Sequence, residues 1–161
     1  MTLQPNQFNV TDLDSEIAVD GRCSELLKQF HQQLLQEEID PLEAGQLAHG
    51  ADYFLRDFII ADRYMNLFTI EPICVRQFAG HWYIIKNLEP NIKELAAILQ
   101  GVAVFYSYLS QNNHISAELN EQIQTETASL DFYNERIDQF WQISDDGYTT
   151  WCNACPLPVI D

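Results

Sequence analysis

Apolar residues recur three or four positions apart over most of the chain, the spacing of one buried helical face. Cys23, Leu26, Leu27, Phe30, Leu34 and Leu35 form the first stripe and predict a helix from about Cys23 to Ile39. Asp40-Pro41-Leu42-Glu43 then restarts the chain. Asp40 can accept from the free N–H groups of a first turn, Pro41 suits the first helical position, and Glu43 can reach back as a capping partner. The helix that follows places Leu47, Ala51, Phe54, Leu55, Phe58 and Ile59 on one face and ends near Arg63. Pro72 marks the first turn of a third helix with Val75, Phe78, Ala79, Trp82 and Ile85 inward. Asn91 and Glu94 cap a fourth, from Ile92 to about Gln111, and Asn112-Asn113 supplies a left-handed residue to end it. Ser116 caps a last helix, whose stripe Leu119, Ile123, Leu130, Tyr133, Ile137 and Phe140 runs to about Ile143. At 1.5 Å per residue, helix 117–143 would be a rod of roughly 40 Å.

Residues 1–19 show no period and are expected to form a loosely ordered arm. Residues 144–161, with the Asp145-Asp146-Gly147 turn, two prolines and several β-formers, are expected to be an extended strap. The expectation is therefore an all-α, single-domain bundle of about five helices in residues 20–143, with an irregular C-terminal strap. Leu, Ile, Val and Phe make up 47 of the 161 residues, enough apolar side chain for one buried core. Leu95–Leu109, the most apolar stretch, is interrupted by Gln100, Gly101 and Ser107 and reads as a buried helix rather than a membrane span.

Charge narrows the function classes. The net charge is −16, and it is unevenly placed. Residues 1–52 carry −8, residues 53–93 carry +1 and residues 94–161 carry −9. Nucleic-acid affinity comes largely from cations that displace counterions from phosphates, so duplex binding is disfavoured, as is attachment to anionic membranes. Acidic arms suit a basic protein partner. The overlong last helix suggests a homodimer through helix 117–143. The N-terminal residues lack a basic segment followed by an apolar run, so no secretory signal is expected, and four cysteines then point to reduced thiols in the cytoplasm.

Candidate chemistry is sparse. Cys152-Asn153-Ala154-Cys155 can hold half of a zinc site, form a reducible disulfide, or be two inert packed thiols. Zinc is the one cofactor these residues suggest, and a complete thiolate site would need Cys23 and Cys74 to converge on the pair. A redox pair usually sits at the start of a helix beside a strand, and no βαβ pattern is present. The residues three before His31, His49, His81 and His114 are Lys28, Gln46, Phe78 and Gln111, so the Glu-x-x-His element of di-metal bundles is absent. HExxH, GxSxG, GxGxxG and P-loop patterns are absent too. No catalytic residue is assigned, and the expected role is a non-catalytic interaction or adaptor module.

Tyr53-Phe54-Leu55, Ile70-Glu71-Pro72, Phe105-Tyr106-Ser107-Tyr108-Leu109 and Asn113-His114-Ile115 together have the cadence of a known helical unit. The stretch Ala48–Ile115 resembles the SAM-like core-binding domain of tyrosine recombinases. The resemblance implies several short helices around one core. The recombinase catalytic domain, with its arginines, histidines and nucleophilic tyrosine, has no counterpart in these residues, so strand exchange is not implied. If a vestige of nucleic-acid binding remains, its phosphate contacts would be Arg56, Arg63, Arg76, Lys86 and Lys93, the cations of the near-neutral middle.

Overall fold

The computed structural model describes residues 3–160. Among them every regular element is a helix, as the periodicity requires, but there are seven helices rather than five. We number them α1 (Leu13–Gln36), α2 (Pro41–Asp52, running on as π-helical turns over Tyr53–Ile60), α3 (Ile73–Gln77, π-helical over Phe78–Trp82, then Tyr83–Lys86), α4 (Ile92–Gln111), α5 (Ala117–Thr127), α6 (Leu130–Trp141) and α7 (Gly147–Ala154).

The N-cap residues act where the sequence places them, but the expected return bonds from Glu43 and Glu94 do not form, and the Glu94 carboxylate accepts from the Tyr83 hydroxyl instead. Asp40 accepts from the N–H groups of Leu42 and Glu43, Asn91 from Glu94, and Ser116 from Leu119. Asn113 adopts the left-handed conformation (φ 62°) that ends α4. In α2, the N–H of Ala61 bonds the carbonyl of Arg56 and that of Arg63 the carbonyl of Phe58, five residues back. These wider turns let Phe54, Leu55, Phe58, Ile59 and Ile60 all point inward. Phe78–Trp82 is widened likewise, and its five residues are all buried. The two π-helical segments meet through rings: Phe54, Phe58 and Tyr53 each contact Phe78, and Tyr53 and Phe58 contact Trp82.

Helix α4 is the axis of the bundle. It is long and apolar enough to cross a membrane by length and composition alone; here α2, α5 and α6 pack against it. It runs antiparallel to α2, with Gly50 opposite Ile98 and Gly101 opposite Leu47 and Ala51. A Cβ on Gly50 would stand 2.8 Å from the Ile98 carbonyl, so the two backbones touch where any side chain would hold them apart.

Three sequence expectations require correction. Residues 1–19 are not a loose arm over their described part. Helix α1 already begins at Leu13, where the Asp12 carboxylate accepts from the Ser15 N–H while the Ser15 hydroxyl accepts from the Asp12 N–H. Ahead of it Phe8 is buried edge-on against Phe68, Arg22 donates to the Gln7 carbonyl, and Asn66 donates to the Pro5 carbonyl.

The rod of 117–143 is two helices, interrupted at Ala128-Ser129. At the break the Ala128 N–H still bonds the Gln124 carbonyl, but the Ser129 N–H turns to Glu126 O, and hydroxyls also bond the carbonyls of this last turn. Ser129 Oγ donates to Thr125 O, Thr127 Oγ to Gln124 O, and the Tyr133 hydroxyl to Glu126 O at 2.7 Å. Finally, residues 144–161 are not extended throughout, because α7 forms over Gly147–Ala154. Its Trp151 is buried, and that anchor overrides the weak local preference.

Candidate functional site

The place where α6, α7 and the middle of α3 meet holds the one charged side chain among the described residues that is fully enclosed. Arg136, on the inward face of α6, is 2% exposed and faces no carboxylate. Its Nε donates to the Gly80 carbonyl at 2.9 Å and its Nη1 to the Trp151 carbonyl at 2.7 Å. The guanidinium lies 3.9 Å from the Trp151 ring centroid, and the indole N–H donates back to the Arg136 carbonyl at 2.9 Å. Nη2 has no partner. Burial draws the Arg136 pKa down from its ordinary value. α6, α3 and α7 are thereby tied at one point.

His81 and Cys155 complete this clamp. The His81 ring nitrogen Nδ1 lies 2.8 Å from the Cys155 carbonyl, which fixes it as the protonated nitrogen of the neutral ring. The Cys155 thiol packs on Gly80, where an added Cβ would come within 2.9 Å of Sγ. Burial raises the Cys155 pKa, with Arg136 and Arg76 pulling it partly back. Cys152 is half-buried.

Burial, with the positive charges of Arg136 and Arg63 adding to it, holds the His81 pKa below its ordinary 6.5, against the hydrogen bond to Cys155. The unfolded chain therefore takes up this proton before the folded one does. Stability from His81 is complete above about pH 6.5 and is lost as pH falls through the lower folded value. Urea midpoints measured between about pH 7.5 and 5.5 are expected to fall less for His81→Gln than for the parent chain. Equal slopes would show that His81 ionises freely in its pocket.

Of the two candidate metal ligands, Cys155 is part of this packing clamp and Cys152 is half-buried beside it in α7. Cys23 lies in α1 and Cys74 in α3; both are buried, and burial raises both pKa values. Among the described residues no three His, Cys, Asp or Glu side chains gather as a metal-binding group. A divalent ion at Cys152 and Cys155 would sit beside the uncompensated guanidinium of Arg136, so these residues offer zinc a poor fit.

Four of the five candidate phosphate contacts are engaged within the chain. Arg56 makes a two-pronged pair with Asp20 at 2.9 and 3.0 Å, and reaches Asp52 at 3.5 Å. Arg63 donates to Asp62 at 2.8 Å and to the Pro158 carbonyl at 2.6 Å. Arg76 grips both oxygens of Glu126 at 3.0 and 3.1 Å and stacks on Phe132. Lys86 lies over the Trp82 ring. Lys93 is exposed beside a groove of about 1060 Å³ along the α2–α4 seam, with Leu42, His49, Tyr53 and Ile98 among its lining.

The acids are distributed otherwise. From residue 94 to 160 the sequence has nine acids and one base, and that base is the enclosed Arg136. Glu118, Glu121, Asp131, Glu135, Asp138, Asp145 and Asp146 are all exposed, and none has an ion-pair partner among the described residues. On α6 the outward ridge is Asp131, Glu135 and Asp138, flanked by the exposed rings of Phe132 and Trp141. Helical spacing alone aligns Asp131, Glu135 and Asp138 along α6, whereas the run of rings from Trp141 to Tyr148 depends on the docking of α7 through Trp151. No family model matches the chain, and neither a curated protein nor a solved structure matches it.

Proposed function

We propose that this protein is a non-catalytic interaction module that binds a basic protein partner through its acidic C-terminal helices. The observation that carries this reading is the ridge of unpaired carboxylates Asp131, Glu135 and Asp138 on α6, set beside the exposed rings of Phe132 and Trp141, where the neighbouring cation Arg76 is already engaged by Glu126. Carboxylates of one sign steer a positively charged partner and repel phosphate-bearing surfaces. The vestigial nucleic-acid reading, suggested by the SAM-like resemblance, has less support. Three of its five cations are held by the chain's own carboxylates, and Lys86 lies over a ring. Self-association through 117–143 was motivated by an uninterrupted rod, and that motive falls with the break. Four free thiols fit a reducing compartment such as the cytoplasm.

Immobilised protein, exposed at low salt to an extract of the cells that make it, is expected to retain strongly basic proteins that elute as salt rises. Retention of no basic protein, or retention indifferent to salt, would refute the reading.

A further inference from the structure

The aromatic side chains of α6 and α7 form a continuous run. Trp141 contacts Phe140, Phe140 contacts Trp151, and Trp151 stacks on Tyr148. The inner ring of Trp151 covers Arg136, while Trp141 and Tyr148 emerge, 57% and 47% exposed. Asp145 and Asp146 lie in the turn between them, and Asp138 stands one helical turn before Trp141 on the same side of α6. An aromatic face next to carboxylates attracts a cation twice, through the ring quadrupole and through charge.

The molecule uses this arrangement on itself nearby. Arg76 sits with its guanidinium 5.4 Å from the Phe132 centroid and both nitrogens on Glu126, between a ring and a carboxylate at the far end of α6. Trp141 and Tyr148 are exposed rings flanked along the chain by Asp138 and Asp145-Asp146, and none of the cations among the described residues stacks on either ring.

We propose that the face running from Asp138 and Trp141 through Asp145-Asp146 to Tyr148 docks an arginine-bearing segment of a partner protein. This rests on the interaction-module reading and adds the place and the chemistry. Arginine fits better than lysine because a planar guanidinium can stack on an indole while bonding a carboxylate through two N–H groups. A second copy of this chain is a poor occupant, since the face carries no exposed base and two copies would set carboxylate against carboxylate.

The test titrates the full chain with an eight-residue peptide alternating arginine and glycine, followed by backbone amide NMR shifts. Shifts are expected to concentrate in residues 138–149, and the lysine counterpart to bind more weakly. Trp141→Ala, which leaves the net charge unchanged, is expected to weaken binding about five-fold. Asp145→Asn with Asp146→Asn should weaken it and reduce its salt dependence, whereas Leu42→Ala, on the α2–α4 groove, should leave it unchanged. Shifts spread over all acidic surfaces, with Trp141→Ala binding as the parent does, would overturn the proposed face while leaving the interaction-module reading intact. Absence of peptide binding, with basic proteins still retained from extract, would overturn the arginine assignment alone. Absence of both would overturn both. A concentration-dependent dimer that Trp141→Ala dissolves would make the occupant a second copy and refute the proposal.

Discussion

Gly101→Ala is expected to lower the stability of the protein by about 3 kcal/mol, the upper part of the range for forcing a methyl group into a packed core. The cost comes from backbone and not from a yielding side chain. A Cβ at position 101 would fall well inside contact distance of the Leu47 carbonyl and 3.0 Å from the Ala51 nitrogen, both on the facing turn of α2. Relief requires α2 to move away from α4. That would unseat Leu47, Ala51 and Phe54, which pack against the central helix from the same side. Gly21 and Gly45 are the internal controls, since both lie in helices and a Cβ on either meets nothing within 4 Å. Gly21→Ala and Gly45→Ala should stabilise by up to about 1 kcal/mol, by reducing the freedom of the unfolded chain. Urea denaturation of the three variants checks both signs. A Gly101→Ala midpoint equal to the parent's would mean that α2 and α4 separate without cost, and that the close crossing does not organise the bundle.

What the sequence revealed and what it hid divides along physical lines. Helix starts were legible wherever a side chain caps its own backbone, as at Asp40, Asn91 and Ser116, because those bonds span three residues or fewer. Asp12 escaped notice because its reciprocal partner is Ser15, where glutamate or glutamine is the usual signal, and because Leu13 and Ile17 of that first turn point to solvent. The break at Ala128-Ser129 left no mark on the apolar stripe. Ile123 and Leu130 are seven residues apart, which a continuous helix satisfies equally well. At the break hydroxyls bond the carbonyls of the last turn beside its backbone donors, with the Tyr133 contribution coming from the next helix.

The π-helical turns were hidden for a related reason. Five-residue bonding at Arg56–Ala61 and Phe58–Arg63 follows from the packing of Phe54, Phe58, Phe78 and Trp82 between two helices, which local spacing does not encode. Helix α7 illustrates the same dependence. Tyr148, Thr149, Thr150 and Trp151 favour extended backbone taken alone, yet the segment is helical because Trp151 is clasped by Arg136. The candidate site shared this fate. The acids of residues 94–161 were visible in the sequence, but the enclosure of Arg136, the single base among them, depends on packing between α6, α3 and α7.

Arg136→Ala is accordingly expected to cost about 3 kcal/mol and to release α7 before the rest of the molecule unfolds. The substitution leaves the Gly80 and Trp151 carbonyls without their donors in a buried site, at about 1–3 kcal/mol each, and removes a desolvated ring contact of about 2 kcal/mol. Against this, it relieves the cost of enclosing a cation with no carboxylate and with Nη2 unbonded, which returns part of the loss. Arg136→Lys should recover little, because one ammonium cannot bond two carbonyls on different helices and also lie flat against the indole. The distinguishing measurement is amide hydrogen exchange. In Arg136→Ala the amides of Gly147–Ala154 should exchange through a local opening, while those of α4 still require global unfolding. If Arg136→Ala matches the parent in both urea midpoint and α7 protection, then desolvating the guanidinium costs as much as its bonds return. α7 would in that case be held by the apolar contacts of Trp151 alone. Loss of protection confined to α7 would instead identify Arg136 as the joint that keeps Trp141, the Asp145-Asp146 turn and Tyr148 on one surface.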